Sequence, residues 1–258
     1  MKILIAGRHR FHVIFCATVF LVALGLIAGF AGKSVAGSAK PSKKLPIYGV
    51  NTEEKKVALT FDCAWENSDT QILLELLRQN GAKATFFTTG DWCERFPEDV
   101  KAFASAGHDV ENHSYGHPHV ASISRDKLIS DTKKCDDIIQ KLTGTLPVLY
   151  RAPYGEYSDA MMETFEKELG HKVIQWDVDS RDWQGREAED MAETVMGKVR
   201  TGSIILFHND TQNTPEALRM VIPQLKGQGY EFVLVRELIY NEGYVLDHEG
   251  RQTKVGND

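Results

Sequence analysis

The chain reads as an α/β fold of about seven β units, nearly every one followed by a helix, on three observations. From residue 56 onward short apolar runs alternate with amphipathic stretches, helix-start and helix-stop residues punctuate that alternation, and ionisable residues recur directly after the apolar runs. Strict alternation implies a parallel sheet with helices outside it. Seven or eight such units close more naturally into a barrel than into an open sheet, although pattern alone leaves both open.

The elements follow in order. Residues 57–61, Val-Ala-Leu-Thr-Phe, form the first buried strand. Ile72, Leu73, Leu76 and Leu77 recur at helical spacing within 70–80, and Gly81 is a natural C-cap. A strand over 84–87 precedes a short helix over 98–106, which starts after Pro97 and stops at Gly107. Residues 108–111 form a short strand that leads into a histidine-rich loop. Ser124 caps a helix running to Leu142, and 148–150 is a strand. Ser158 caps the next helix, ended by Gly170; 172–176 is a strand, 188–199 a helix, 203–207 a strand, 215–226 a helix and 231–235 a last strand.

The N-terminus has another character. Residues 13–32 carry no charge over 20 positions and follow Arg8 and Arg10. That length spans a bilayer as a helix, with the basic side in and the remainder out. Ser34 to Ala39 are small enough for signal-peptidase cleavage, so an uncleaved anchor, the preferred reading, and a cleaved signal are both open. The expected organisation is an anchor or signal over 1–36, a linker over 37–55, one domain over 56–240 and a polar tail over 241–258. The expected location is extracytoplasmic, membrane-anchored or secreted.

Of 30 basic residues, seven lie in the first 44, which hold no acid; the rest of the chain has 23 basic against 36 acidic side chains, a formal charge of −13. A domain so acidic excludes nucleic acid as a partner, because phosphate binding needs clustered Lys and Arg. It leaves a neutral or cationic sugar polymer open. Nothing in the sequence points to a protein partner. Three of the four cysteines, Cys63, Cys93 and Cys135, lie in the domain, an odd count for an exported protein.

In a parallel barrel the active site lies at the C-terminal strand ends. Five predicted strands end in ionisable groups: Asp62-Cys63; His113 to His119; Arg151 to Gly155; Asp177 to Trp183; and His208. Two imidazoles four apart, His113 and His117, can converge on one divalent cation, with a third donor from elsewhere. Such a cation activates water, a carboxylate such as Asp62 takes the proton, and a separate histidine such as His208 protonates the leaving amine. Any one of these histidines alone is more often structural; five of seven strand ends of this type on one rim are not a chance pattern.

These residues resemble the polysaccharide deacetylases of the NodB-homology type, carbohydrate esterase family 4, over about residues 56 to 236. The motifs are Thr60-Phe61-Asp62, His113-Ser114-x-x-His117, Arg151-x-Pro153-Tyr154-Gly155, Asp179-x-x-Asp182-Trp183 and Leu206-x-His208. The resemblance implies a distorted (β/α) barrel, a divalent metal with zinc foremost, and removal of N-acetyl, less often O-acetyl, groups from a chitin-like or peptidoglycan polysaccharide. It implies Asp62 as base, His208 as acid, Arg151 and Asp182 as their respective orienting partners, and His113 and His117 as metal ligands. It implies the Tyr154 backbone N–H as an oxyanion donor, and Trp183 and Leu206 as substrate contacts. One departure stands out. The family places a second acid, the third metal ligand, where this chain has Cys63, followed by Ala64-Trp65-Glu66 rather than Gly-Pro. Thr-Phe-Asp-x-x-Trp is similar to a sporulation-associated branch. Three arrangements are open: Cys63 binds zinc as thiolate, Asp62 turns to the metal, or metal affinity is weak. A catalytically impaired glycan-binding envelope protein is the alternative to an enzyme. A metallopeptidase is disfavoured, since no His-Glu-x-x-His helix is present.

Overall fold

The computed structural model describes residues 44–256. The expected membrane or signal segment lies outside them, and among the described residues no helix is long and apolar enough to cross a membrane.

The core is a curled sheet of parallel strands: β2 (Lys56–Cys63), β3 (Ala84–Thr88), β4 (Asp109–Asn112), β5 (Leu149–Tyr150), β6 (Lys172–Val173), β7 (Val178–Asp179) and β8 (Ile204–His208). Their spatial order is β6-β5-β4-β3-β2-β8-β7, and β9 (Glu231–Phe232) pairs in parallel with the start of β2. This is the expected distorted (β/α) barrel. The hydrogen-bonded path opens between β6 and β7. The chain before β1 (Gly49–Asn51) reaches that opening: Ile47 N–H donates to Val173 O and Ile47 O accepts from Gln175 N–H, at 2.9 and 2.7 Å.

Among the described residues the α-helices that accompany this sheet are α1 (Thr70–Asn80), α2 (Gly90–Arg95), α3 (Pro97–Ser105), α4 (Arg125–Thr143), α5 (Asp159–Thr164), α6 (Ala188–Met196), α7 (Thr214–Gly227) and α8 (Val235–Leu238). The expected caps operate. Gly81 ends α1 at φ 57°, Ser124 Oγ accepts from Lys127 N–H at the start of α4, and Ser158 Oγ accepts from Met161 N–H at the start of α5. The helix α2, absent from the periodicity reading, starts at Thr89, whose Oγ1 accepts from Trp92 N–H.

Strand alternation divides the apolar residues into two layers. Val57, Leu59, Phe61, Ile205 and Phe207 pack outward with Leu73, Leu77, Leu218 and Val221 of the helices. Ala58, Phe87, Leu149, Ile174 and Ile204 fill the bore together with Val233 and Val235.

Residues expected as a polar tail form instead a hairpin, β10 (Tyr244–Leu246) and β11 (Arg251–Lys254), with β11 parallel to β1 in a three-stranded sheet. Arg251 is buried and accounts for the docking. It donates to Val50 O (2.5 Å), Thr201 O (2.8 Å) and Asn51 Oδ1 (2.9 Å) and pairs with Asp177. The backbone approaches so closely that a Cβ on Gly202, at φ 73°, would sit 1.9 Å from Val50 O. Arg251→Met leaves Asp177 with Arg200 at 3.6 Å and with the donors Ser203 Oγ and Ile204 N–H, but takes the Arg251 donors away from Val50 O, Thr201 O and Asn51 Oδ1. Chemical unfolding should show a loss of about 1–3 kcal/mol.

Candidate active site

The bore is apolar at its base and charged at its C-terminal mouth. Arg151, at the end of β5, is fully buried. Its Nη1 donates to Asp62 Oδ1 (2.7 Å) and Thr60 Oγ1 (2.9 Å), its Nη2 donates to Gln175 O (3.2 Å), and the guanidinium lies 4.1 Å from the centroid of the Phe87 ring. Burial works to raise the Asp62 pKa, but the Arg151 charge, with His113 and His208 nearby, outweighs it and holds the carboxyl below its ordinary value. Asp62 is therefore ionised at neutral pH, as a general base must be.

Asp62 and His208 are register partners on the adjacent parallel strands β2 and β8, so both side chains point into the bore side by side. His208 Nδ1 lies 2.7 Å from Asp182 Oδ1, which fixes Nδ1 as the donor and presents Nε2 to the mouth. Asp182 is itself held in place: its Oδ2 accepts from the His208 backbone N–H (2.7 Å) and from Thr214 Oγ1 (2.8 Å). Burial pushes the His208 pKa down, but the hydrogen bond and charge of Asp182, with Asp62 and Asp179, raise it above the ordinary imidazole value.

His113 leaves the end of β4. Its Nδ1 donates to Arg151 O (2.8 Å), so Nε2 carries a lone pair, and it lies 3.6 Å from Asp62 Oδ2. The His117 ring stands 5.0 Å from that of His113, with burial pushing its pKa down to about 4. Burial lowers the His113 pKa as well, so both imidazoles are neutral at neutral pH. Cys63 shares the outward face of β2 with Leu59 and Phe61 and packs in the apolar layer, on the side opposite Asp62. Burial pushes its thiol well above the ordinary range, disfavouring the thiolate that binds metal. Among the described residues, no three His, Cys, Asp or Glu side chains converge closely enough to hold a metal ion. Of the three arrangements that the sequence leaves open for the third donor, the pleat of β2 does not bring Cys63 to the histidine pair. Cys93 and Cys135 are buried and unpaired as well.

The rim carries the strain. Ser114, His117, Tyr154, Arg181 and Asp210 all have φ between 55° and 69°, and all lie in strand-end loops. At Tyr154 the turn is closed by Gly155 N–H to Ala152 O (3.1 Å) and Glu156 N–H to Pro153 O (3.2 Å), bonds that do not draw on the Tyr154 N–H. The Tyr154 ring stacks on His119 at 4.1 Å and meets His117 edge-on at 4.6 Å. Trp183 is 58% exposed on its loop, as a cleft wall would be, whereas Leu206 is buried on β8 between Ile205 and Phe207 and faces the bore. Trp65 is a site residue that motif reading did not single out. Its ring lies 5.6 Å from that of His208 and 5.9 Å from that of His117. Its signal in the sequence was an aromatic three positions after the base.

A parallel barrel whose mouth pairs a carboxylate base with a carboxylate-backed histidine defines a hydrolase-type acid–base site. Comparison with known proteins agrees. A family model for polysaccharide deacetylase matches residues 49–174. A peptidoglycan-N-acetylglucosamine deacetylase from Bacillus cereus is 37% identical over 182 residues, 69% of this chain and 66% of that relative, so the chain spans just under two thirds of its length. The crystal structure of a peptidoglycan N-acetylglucosamine deacetylase bound to a benzamide ligand superposes at TM-score 0.72 with 34% identity, covering 75% of this chain and 92% of the other. A pseudoenzyme of carbohydrate esterase family 4 from Bacillus anthracis superposes at 0.73 with 30% identity, covering 81% and 70%. The chain belongs to the polysaccharide deacetylase family.

Two outcomes follow. Asp182→Asn should bring the His208 pKa down, as read from the pH titration of its imidazole proton signals. Because His208 is raised in the fold, the stability drawn from this pair is complete below the unfolded imidazole pKa and is lost as pH rises through the folded value; the variant should flatten that slope. Separately, zinc titration by calorimetry should give the same affinity for Cys63→Ser as for the natural chain, and about tenfold or greater loss for His113→Ala.

Proposed function

We propose that the chain is a hydrolase that removes N-acetyl groups from a polysaccharide of the cell or spore envelope, either peptidoglycan or a chitin-like glycan. The observation that carries this reading is the side-by-side placement of Asp62, oriented by Arg151, and His208, oriented by Asp182. Asp62 takes a proton from the attacking water as its oxygen bonds to the acetamide carbon. The Tyr154 N–H, on its left-handed turn, would meet the developing oxyanion. His208 then protonates the nitrogen as the C–N bond breaks, releasing acetate and the free amine. Trp183 and Leu206 would contact sugar and acetyl methyl.

The family brings a divalent cation to His113 and His117, and imidazole donors favour zinc. In this chain only the histidine pair is set out for it, and the proton transfers above draw on Asp62 and His208. The uncharged run over 13–32 supports an extracytoplasmic protein, tethered to the membrane or secreted.

The inward histidine pair without its third donor favours a second reading: a catalytically impaired glycan-binding protein of the envelope. Likeness to the pseudoenzyme, of which a mutant with restored enzymatic activity has also been crystallised, points the same way.

Acetate release from chito-oligosaccharide and from peptidoglycan separates the two. The hydrolase reading expects release that falls about 100-fold or more in His208→Ala. Equal, background release from both forms on both substrates would leave the binding reading standing alone.

A further inference from the structure

Trp65 is an aromatic side chain that the acid–base chemistry leaves without a task. It stands on the loop after β2, 47% exposed, outside every apolar cluster of the described residues. Yet it is no loose surface residue. Its ring meets His117 at 55° and His208 at 63°, so it overhangs the gap between the two histidines. Its loop is tied down at consecutive residues: Arg95 donates to Ala64 O (3.3 Å) and to Trp65 O, Trp92 Nε1–H donates to Glu66 O (3.0 Å), and Asn209 Nδ2 donates to the same carbonyl. Tyr154 and Trp183, each 58% exposed, stand on other strand-end loops of the same mouth, but of the three only Trp65 touches both histidines.

We propose that Trp65 is a sugar-stacking subsite, a fixed indole platform that receives the apolar face of a pyranose ring in an N-acetylhexosamine glycan. Resting on the deacetylase reading, this names the residue that decides whether a sugar engages the reacting centre. With the indole 5.6 Å from the His208 ring and 5.9 Å from that of His117, the hexose whose acetamide sits beside His208, or its neighbour, would lie within reach of that ring. Pyranose C–H faces are apolar and stack on aromatic planes, whereas hydroxyl edges do not. Fixed loop geometry means little entropy is lost when the sugar docks. A neutral sugar also suits an acidic domain better than a polyanion.

Calorimetry of the full-length chain with chitopentaose tests this without requiring turnover. Trp65→Ala and Trp65→Leu should each weaken binding about tenfold or more, while Trp65→Phe, which keeps an aromatic plane, should lose about threefold or less. Trp65→Leu preserves apolar bulk over the histidines, so it separates stacking from mere packing and serves if Trp65→Ala fails to fold. Wild-type affinity in Trp65→Leu overturns the proposal. Acetate release with no dependence of binding on Trp65 removes this subsite alone. Trp65-dependent binding without acetate release removes the hydrolase reading alone.

Discussion

Everything at the mouth of this barrel leans on one buried ion pair, Arg151 with Asp62. A guanidinium with no solvent exposure is expensive unless its charge and its donors are met. Here the bore meets the charge with a carboxylate from β2 and the face of Phe87, and the Nη donors with that carboxylate, a hydroxyl from the same strand and a backbone carbonyl past β6, while Nε is buried without a partner among the described residues. The pair therefore ties together strands that share no hydrogen bonds, and it fixes one oxygen of Asp62 while leaving the other facing His113 Nε2. The same carboxylate then helps to raise the His208 pKa. Structure and proton chemistry are a single electrostatic arrangement.

A second layer of support is backbone, not charge. Five side-chain-bearing residues in left-handed conformations sit in the strand-end loops. Such residues persist only where the surroundings over-determine them. Ser114 does so visibly: its N–H donates to Asn112 Oδ1 and its hydroxyl accepts from His117 N–H, so the loop that turns both histidines inward is held by its own polar side chains. Asn112 in turn bonds Asp136 and Thr132 O on α4.

The alternation of strands and helices, the caps and the rim position of the motifs were all legible in the sequence, because each rests on local periodicity or on residues next to strand ends. Two features were not, and a third was so only in part. The helix α2 is only six residues long, too short for Trp92 and Cys93 to show a helical period. The C-terminal hairpin has no apolar alternation. A buried arginine organises it, and a polar string conceals such a residue until its partners Asp177 and Val50 come near in space. Trp65 is legible as the last residue of Thr-Phe-Asp-x-x-Trp, but its place above two histidines from other strands is a tertiary fact.

Cys63 shows how pleat and chemistry choose together. Consecutive residues on a regular strand point to opposite faces, so two neighbours can serve one bore site only where the strand leaves its pleat. In this chain β2 stays in register with β3 through Cys63 opposite Thr88. Position 63 is thereby committed to the layer of Phe61, Leu73 and Trp92. A carboxylate there would be stranded among apolar neighbours and driven to turn inward. A cysteine packs as a small apolar residue and has no such drive. The residue and the unbroken strand sustain each other, so Asp62 and His208 face the bore beside the histidine pair while Cys63 stays in the apolar layer.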